Sequence, residues 1–222
     1  MPDFGFRINE CPAGPSPAML AAYAAFAVAN ISDCMSRTTG TSALRRVGPA
    51  HRLVGRAFTV RTRPGDNLMV HKAIDMAQPG DVIVVDAGGE MRNAIIGEIM
   101  AGWAARRQLG GFVIDGAVRD SDTLAAGALP VFARGFAHRG PYKDGPGELN
   151  VPVVIDGMVV LPGDLLVGDG DGVLAIRPDE AEALADKVRA IESAEARILE
   201  QIAQETLDRA WVDTVLKSKG VI

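Results

Sequence analysis

Apolar residues change period several times along this chain, and the changes mark out a mixed α/β domain. Met19, Leu20, Tyr23, Phe26 and Ala27 share one helical face behind Ser16, an N-cap residue, and Pro17 at the first helical position. Ser32-Asp33 suits the cap of a second short helix, so helical structure is expected over about 16–37. Leu53 to Arg61 then alternates as a half-buried strand does, and Pro64-Gly65-Asp66 turns into a helix running through Ile74.

An α/β rhythm follows. Pro79-Gly80 is a turn and Asp81 to Asp86 (DVIVVD) a buried strand, with Gly88-Gly89 as its expected end. A helix containing Gly97, Trp103 and Arg106 comes next; Gly110-Gly111 closes it, and Phe112-Val113-Ile114-Asp115 is the following strand. Parallel strands joined by a crossover helix bring the loops after each strand to one sheet edge, the edge that ligands favour. Pro130 to Arg134 is another short strand, and a Gly- and Pro-rich loop spans Gly135 to Gly147. Pro162-Gly163-Asp164 and Gly168-Asp169-Gly170-Asp171-Gly172 read as turns between Val- and Leu-rich strands, the second being half of a calcium loop without its spaced ligands or terminal Glu.

One long helix is expected over about 178–217, opening at Pro178-Asp179-Glu180. Leu184, Val188, Ile191, Ile198 and Ile202 form its apolar seam, and Glu195 lies on the same seam. A carboxylate there is costly unless paired, hydrated or near a metal. Both an ordinary paired residue and a catalytic one fit that position.

Composition narrows the function. The chain has 222 residues, 48% of them hydrophobic, which suits one domain over residues 1–222 with an α/β core at about 50–176. A net charge of -5 and the lack of a basic run interleaved with aromatics exclude nucleic acid as the expected partner. The longest apolar stretch, Met19 to Ile31, is too short for a membrane span. Cys11 and Cys34 have no metal-type spacing, and no leader precedes them, so plain thiols and a cytoplasmic location are expected.

Candidate chemistry concentrates in two runs. Gly97-Glu98-Ile99-Met100 opens a helix, whose first N–H groups lack partners at positive dipole potential and suit a carboxylate or phosphate. Arg119 offers a planar fork for the same anion, and Asp120 a hard oxygen for Mg²⁺ or Mn²⁺. A 2-oxo acid on a divalent metal satisfies all of these groups, although Asp120-Ser121-Asp122 equally suits a plain helix cap. No Gly-x-Ser-x-Gly elbow, Walker loop or dinucleotide fingerprint competes. His51, His71 and His138 are scattered, and the His71/Asp75 pair at i,i+4 reads as a surface contact.

The ordered motifs resemble a known family. They run from Asn30-Ile31-Ser32-Asp33 through Pro79-Gly80-Asp81-Val82, Gly97-Glu98-Ile99-Met100, Gly116-Ala117-Val118-Arg119-Asp120 and Pro130-Val131-Phe132-Ala133-Arg134-Gly135. Pro162-Gly163-Asp164 and Asp169-Gly170-Asp171-Gly172-Val173 complete them. The chain is similar to the family that joins the regulator of ribonuclease E activity A to the class II 4-hydroxy-4-methyl-2-oxoglutarate / 4-carboxy-4-hydroxy-2-oxoadipate aldolases.

The resemblance implies a swivelling β/β/α-type domain, assembled as a homotrimer or dimer of trimers with active sites between subunits. It implies pyruvate-forming cleavage of a small 2-oxo acid substrate with a divalent metal, Mg²⁺ or Mn²⁺, and oxaloacetate decarboxylation through the same enolate. Carried over, the backbone of Gly97, Glu98, Ile99 and Met100 binds the pyruvyl carboxylate, Arg119 contacts the carbonyl oxygen and Asp120 anchors the metal. Glu98 or Glu195 orders a water that moves the proton. Twenty residues separate Glu98 from Arg119-Asp120, as in the aldolase branch, but that branch usually has aspartate where this chain has Glu98. The extra methylene bears on substrate fit. The alternative is the non-catalytic regulator branch, which lacks the complete acidic, Arg and Asp set. A quinone methyltransferase is disfavoured, since no Gly-rich nucleotide loop follows the first strand.

Overall fold

The computed structural model describes residues 5–49 and 52–222, so His51 lies outside the described residues. In chain order the elements are β1 (Phe6–Ile8), α1 (Pro17–Tyr23), α2 (Val28–Cys34), β2 (Arg45–Arg46), β3 (Leu53–Thr62), α3 (Leu68–Met76), β4 (Val82–Ala94), α4 (Glu98–Arg106) and β5 (Gly111–Val118). After them come α5 (Ser121–Ala126), β6 (Val131–Phe136), β7 (Gly147–Leu149), β8 (Val153–Ile155), β9 (Met158–Val160), β10 (Leu165–Gly168), β11 (Val173–Ile176), α6 (Ala181–Ala203) and α7 (Ala210–Ser218).

Strands β3, β4, β5 and β6 pair in parallel as the centre of the sheet, with β1 and β7 beyond β3 and β2 beyond β6. β10 pairs antiparallel with β3 and with β11, and β8 and β9 form a separate hairpin. The period-2 alternation explains the layering. On β4, Ile83 and Val85 enter a core with Met69, Val70, Ile74, Met100 and Leu124 from α3, α4 and α5. Val82 and Val84 enter the opposite core with Val153, Ile155, Met158 and Val160 of the hairpin. A third core packs α1, α2 and the start of α6 on β10 and β11. The mixed α/β fold expected from the sequence is the fold observed, and no single helix among the described residues is long and apolar enough to cross a membrane.

Several boundaries differ from the sequence reading. α1 starts as expected, with the Ser16 hydroxyl accepting the Met19 N–H at 3.2 Å, but ends at Tyr23. Phe26 instead lies in the following turn, edge-on to Tyr23 at 5.3 Å between ring centroids. Ser32 and Asp33 sit inside α2 and do not cap it. The cap comes from the β10–β11 turn, where Asp169 Oδ2 accepts the Val28 N–H at 3.0 Å.

Gly88-Gly89 does not end β4. Both glycines have positive φ, and the strand resumes through register shifts against β5 at Glu90 and Ala94. The C-terminal helix is two helices. Glu205 at φ 56° stops α6, while the N–H groups of Glu205 and Thr206 turn back to the carbonyls of Ile202 and Gln201 at 3.1 and 2.9 Å. That is a Schellman-type ending, in which a left-handed residue satisfies the last carbonyls, made here without the usual glycine.

Candidate active site

Two strand ends build the site. β4 ends at Ala94 and leads through Ile95, Ile96 and Gly97 into α4, while β5 ends at Val118 and leads through Arg119 and Asp120 into α5. Backbone bonds hold these segments side by side: Ile95 N–H donates to Ala117 O at 2.8 Å and Arg119 N–H to Ile96 O at 3.0 Å. The helix start expected at Gly97 therefore lies against the Arg-Asp pair, although twenty-odd residues of chain intervene.

Asp120 occupies the N-cap position of α5 with left-handed φ and ψ of 58° and 44°, and its side chain does not cap that helix. It turns across to α4, where Oδ2 accepts the Glu98 N–H at 3.0 Å. A non-glycine residue in this region costs on the order of 1 kcal/mol, and such strain collects where a side chain must be aimed. Gly97 makes the approach possible, because a Cβ there would collide with Asp120 Oδ2 and lie 2.9 Å from Arg119 Cγ. With Glu98's N–H taken, the N–H groups of Ile99 and Met100 remain without an intrahelical acceptor, since the first helical bond runs from Ala101 N to Gly97 O.

Arg119 stands 3.7 Å from Asp120 (Nε to Oδ2) and lines a cleft with Asn67, His71, Ile96, Met100 and Lys143. Asn67 is buried; its amide donates to Ile95 O at 2.8 Å, fixing the floor of the cleft. Partial desolvation, and then the Lys143 ammonium, push the His71 imidazole below its ordinary value, with Asp75 opposing. On the other side of Arg119, a shallower hollow contains Asp120, Ser121, Phe136 and His138.

The structure thus brings together Gly97, Ile99, Met100, Arg119 and Asp120 of the sequence candidates. Glu98 contributes its backbone here and also lines a separate groove between α4 and α5. Glu195 belongs to the α2–α6 layer, exposed, with Oε2 accepting from Asn30 Nδ2 at 2.8 Å, and α6 contributes no residue to the Arg119 cleft of this chain. The seam around it is buried only as far as Val188, while Ile198 and Ile202 are about half exposed. The sequence reading missed Asn67 and Lys143 and placed His71 in a surface contact. The Asp66-Asn67 pair before α3 was the available signal, since it marks a helix start on the strand edge that holds the site.

Comparison with known proteins gives the family. A family model described as RraA-like, Aldolase/RraA, matches residues 28–175. A Halalkalibacterium halodurans protein provisionally named as a 4-hydroxy-4-methyl-2-oxoglutarate aldolase is 38% identical over 193 residues, 86% of this chain and 88% of its own. Among solved structures, an uncharacterized protein from Pseudomonas syringae superposes with a TM-score of 0.78 at 31% identity, covering 87% of this chain and 96% of that one. The RNA-processing inhibitor RraA from Thermus thermophilis gives a TM-score of 0.63 at 32% identity, over 68% of this chain and 92% of its own. From its motifs, its fold and these relatives, the chain belongs to the RraA-like (Aldolase/RraA) family.

Proposed function

We propose that the chain is a divalent-metal-dependent lyase, which cleaves 4-hydroxy-2-oxo acids of the 4-hydroxy-4-methyl-2-oxoglutarate type to pyruvate and decarboxylates oxaloacetate. The observation that carries this reading is the convergence of the free N–H groups of α4, the Arg119 guanidinium and the Asp120 carboxylate on one strand edge.

The donor set fits a metal of the Mg²⁺ or Mn²⁺ type. Among the described residues no three His, Cys, Asp or Glu side chains cluster, which argues against an all-protein zinc or calcium cage. Asp120 instead offers one partly exposed carboxylate, with Oδ2 engaged by the Glu98 N–H. Mg²⁺ commonly binds through one or two carboxylates and completes its shell with water and substrate. Once bound, such an ion supplies Lewis-acid stabilisation of negative charge developing on the substrate oxygen.

The protein residues do the remainder. The Ile99 and Met100 N–H groups bind the 2-oxo acid carboxylate at the positive end of α4. Arg119 donates to the oxygen that becomes negative when the C–C bond beta to the ketone breaks, and the same charge appears when oxaloacetate loses carbon dioxide. Glu98, which gives its backbone N–H to the site and lines the adjacent groove between α4 and α5, is assigned to proton transfer. Glu195 is assigned to the same task in a neighbouring subunit, within a homotrimer or dimer of trimers. Exposed apolar side chains support assembly: Ile99 and Trp103 on α4, with Ile198, Ile202 and Trp211 on the C-terminal helices.

Pyruvate release from oxaloacetate and from 4-hydroxy-4-methyl-2-oxoglutarate, with and without chelator, tests the proposal. Turnover of at least one substrate is expected with added Mg²⁺ or Mn²⁺, and its loss with chelator. No turnover of either substrate with either metal overturns the lyase reading in favour of a binding protein of the RNA-processing-inhibitor kind. Gly97→Ala is expected to lower kcat/KM roughly 10- to 100-fold, as the new methyl displaces both Asp120 and Arg119. The Gly97 backbone is extended and not left-handed, so thermal denaturation should show only a small loss of stability.

A further inference from the structure

Two of the ordered motifs, Asn30-Ile31-Ser32-Asp33 and Asp169-Gly170-Asp171-Gly172-Val173, contribute no residue to the Arg119 cleft. The fold brings them together at the third core. Asp169, in the β10–β11 turn, accepts the Val28 N–H through Oδ2 and the Asp171 N–H through Oδ1, both at 3.0 Å, so one carboxylate fixes its own turn and the first turn of α2. Arg52 braces the same junction, with Nη2 3.5 Å from Asp169 Oδ2 and Nη1 donating to Phe26 O. Val28 and Ile31 are buried in one core with Leu184, Ala185 and Val188 of α6. Helix α2 is thereby held at its start and along one face, and it carries Asn30.

Asn30 reaches past that core. Its Nδ2 donates to Glu195 Oε2 at 2.8 Å, on the stretch of α6 where the seam has left the interior. Glu195 is exposed and takes part in no ion pair among the described residues: Arg189 on α6 pairs with Asp186 and Arg37 after α2 with Asp33, each at 2.7 Å. A free glutamate samples many rotamers, whereas one oxygen held by a neutral amide fixes the direction of the other and leaves the charge uncompensated. Stability gains little from an exposed contact of this kind, because water competes for both groups. The arrangement suits a carboxylate that acts outside its own chain.

We propose that Asn30 is a positioning residue for Glu195: anchored through Asp169, it holds the Glu195 carboxylate in the direction required for the proton transfer assigned to it in a neighbouring subunit. The proposal rests on the lyase reading and on the share given there to Glu195. Steady-state kinetics of pyruvate release at saturating Mg²⁺ test it with Asn30→Ala, Asn30→Asp, Glu195→Gln and the double variant Asn30→Ala/Glu195→Gln. Asn30→Ala is expected to lower kcat about tenfold with KM changed less than about twofold, since a carboxylate free to swing is less often in line. Asn30→Asp sets a like charge against Glu195 and should lower kcat further. Glu195→Gln should cost about 100-fold, and adding Asn30→Ala to it less than about twofold more, because no carboxylate remains to be positioned. A purely structural role in α2 would cost the same in both backgrounds. Alanine forms helix better than asparagine, so the melting temperature of Asn30→Ala should stay within a few degrees of that of the intact protein.

Unchanged kcat in Asn30→Ala, full activity in Glu195→Gln, or an equal Asn30→Ala loss in both backgrounds overturns the positioning role while the lyase reading stands. Absence of turnover in the intact protein overturns both.

Discussion

On the proposed lyase reading, Asp120→Ala is expected to reduce pyruvate release at least about a thousandfold with every substrate, because the variant loses the carboxylate assigned to the metal. Its effect on stability should be much smaller. Asp120 Oδ2 also accepts the Glu98 N–H at 3.0 Å, and losing such a cap costs about 1 kcal/mol. The residue sits at φ 58°, where alanine is strained and glycine is not. Asp120→Gly therefore removes the carboxylate without the backbone penalty, and Asp120→Asn keeps an oxygen for the Glu98 N–H without the charge. All three should be inactive, with melting temperatures in the order Asn above Ala and Gly above Ala. Coupled assay of pyruvate with circular dichroism melting checks both parts. Full activity in Asp120→Ala, insensitive to chelator, would remove the metal from the mechanism.

How much of this was legible depended on the range of the interactions. The buried run from Asp81 to Asp86 and the Phe112–Asp115 run are set by local hydrophobicity, and both emerge as central strands. Gly97 as the start of one helix and Asp120-Ser121-Asp122 as the start of another were likewise local, and their meeting follows from the parallel pairing of β4 and β5. The cap of α2 was not local: the carboxylate that fills it, Asp169, lies 141 residues away, and Ser32-Asp33 carries the same cap chemistry in the wrong register. The positive φ of Gly88 and Gly89 fits a strand end as well as a bulge, and only pairing with β5 beyond them decides between the two. The break after α6 escaped for a similar reason, because Glu205 takes the left-handed place that a glycine would have announced. Lys143 lay within a stretch readable only as loop. Its position follows from a buried Asp66 distant in sequence, which no periodicity reveals.

Arg119→Lys separates charge from shape at the centre of the site. The guanidinium lies against the backbone at Gly140, where an added Cβ would come within 3.2 Å of Nη1, and Nε is 3.7 Å from Asp120. A planar fork held in that slot can donate to the substrate oxygen in a fixed direction, whereas an ammonium on a flexible stem brings the charge without the direction. Interactions that strengthen as the enolate oxygen becomes negative appear in kcat. The expected result is a fall in kcat of about 100-fold or more, with KM changed by only a fewfold. Because retro-aldol cleavage and oxaloacetate decarboxylation develop the same charge on the same oxygen, the two losses should be similar. Steady-state kinetics on both substrates at saturating Mg²⁺ measures this. A loss confined to KM would make Arg119 a binding group for the ground state, and a loss in only one reaction would mean that the two do not share an enolate at this site.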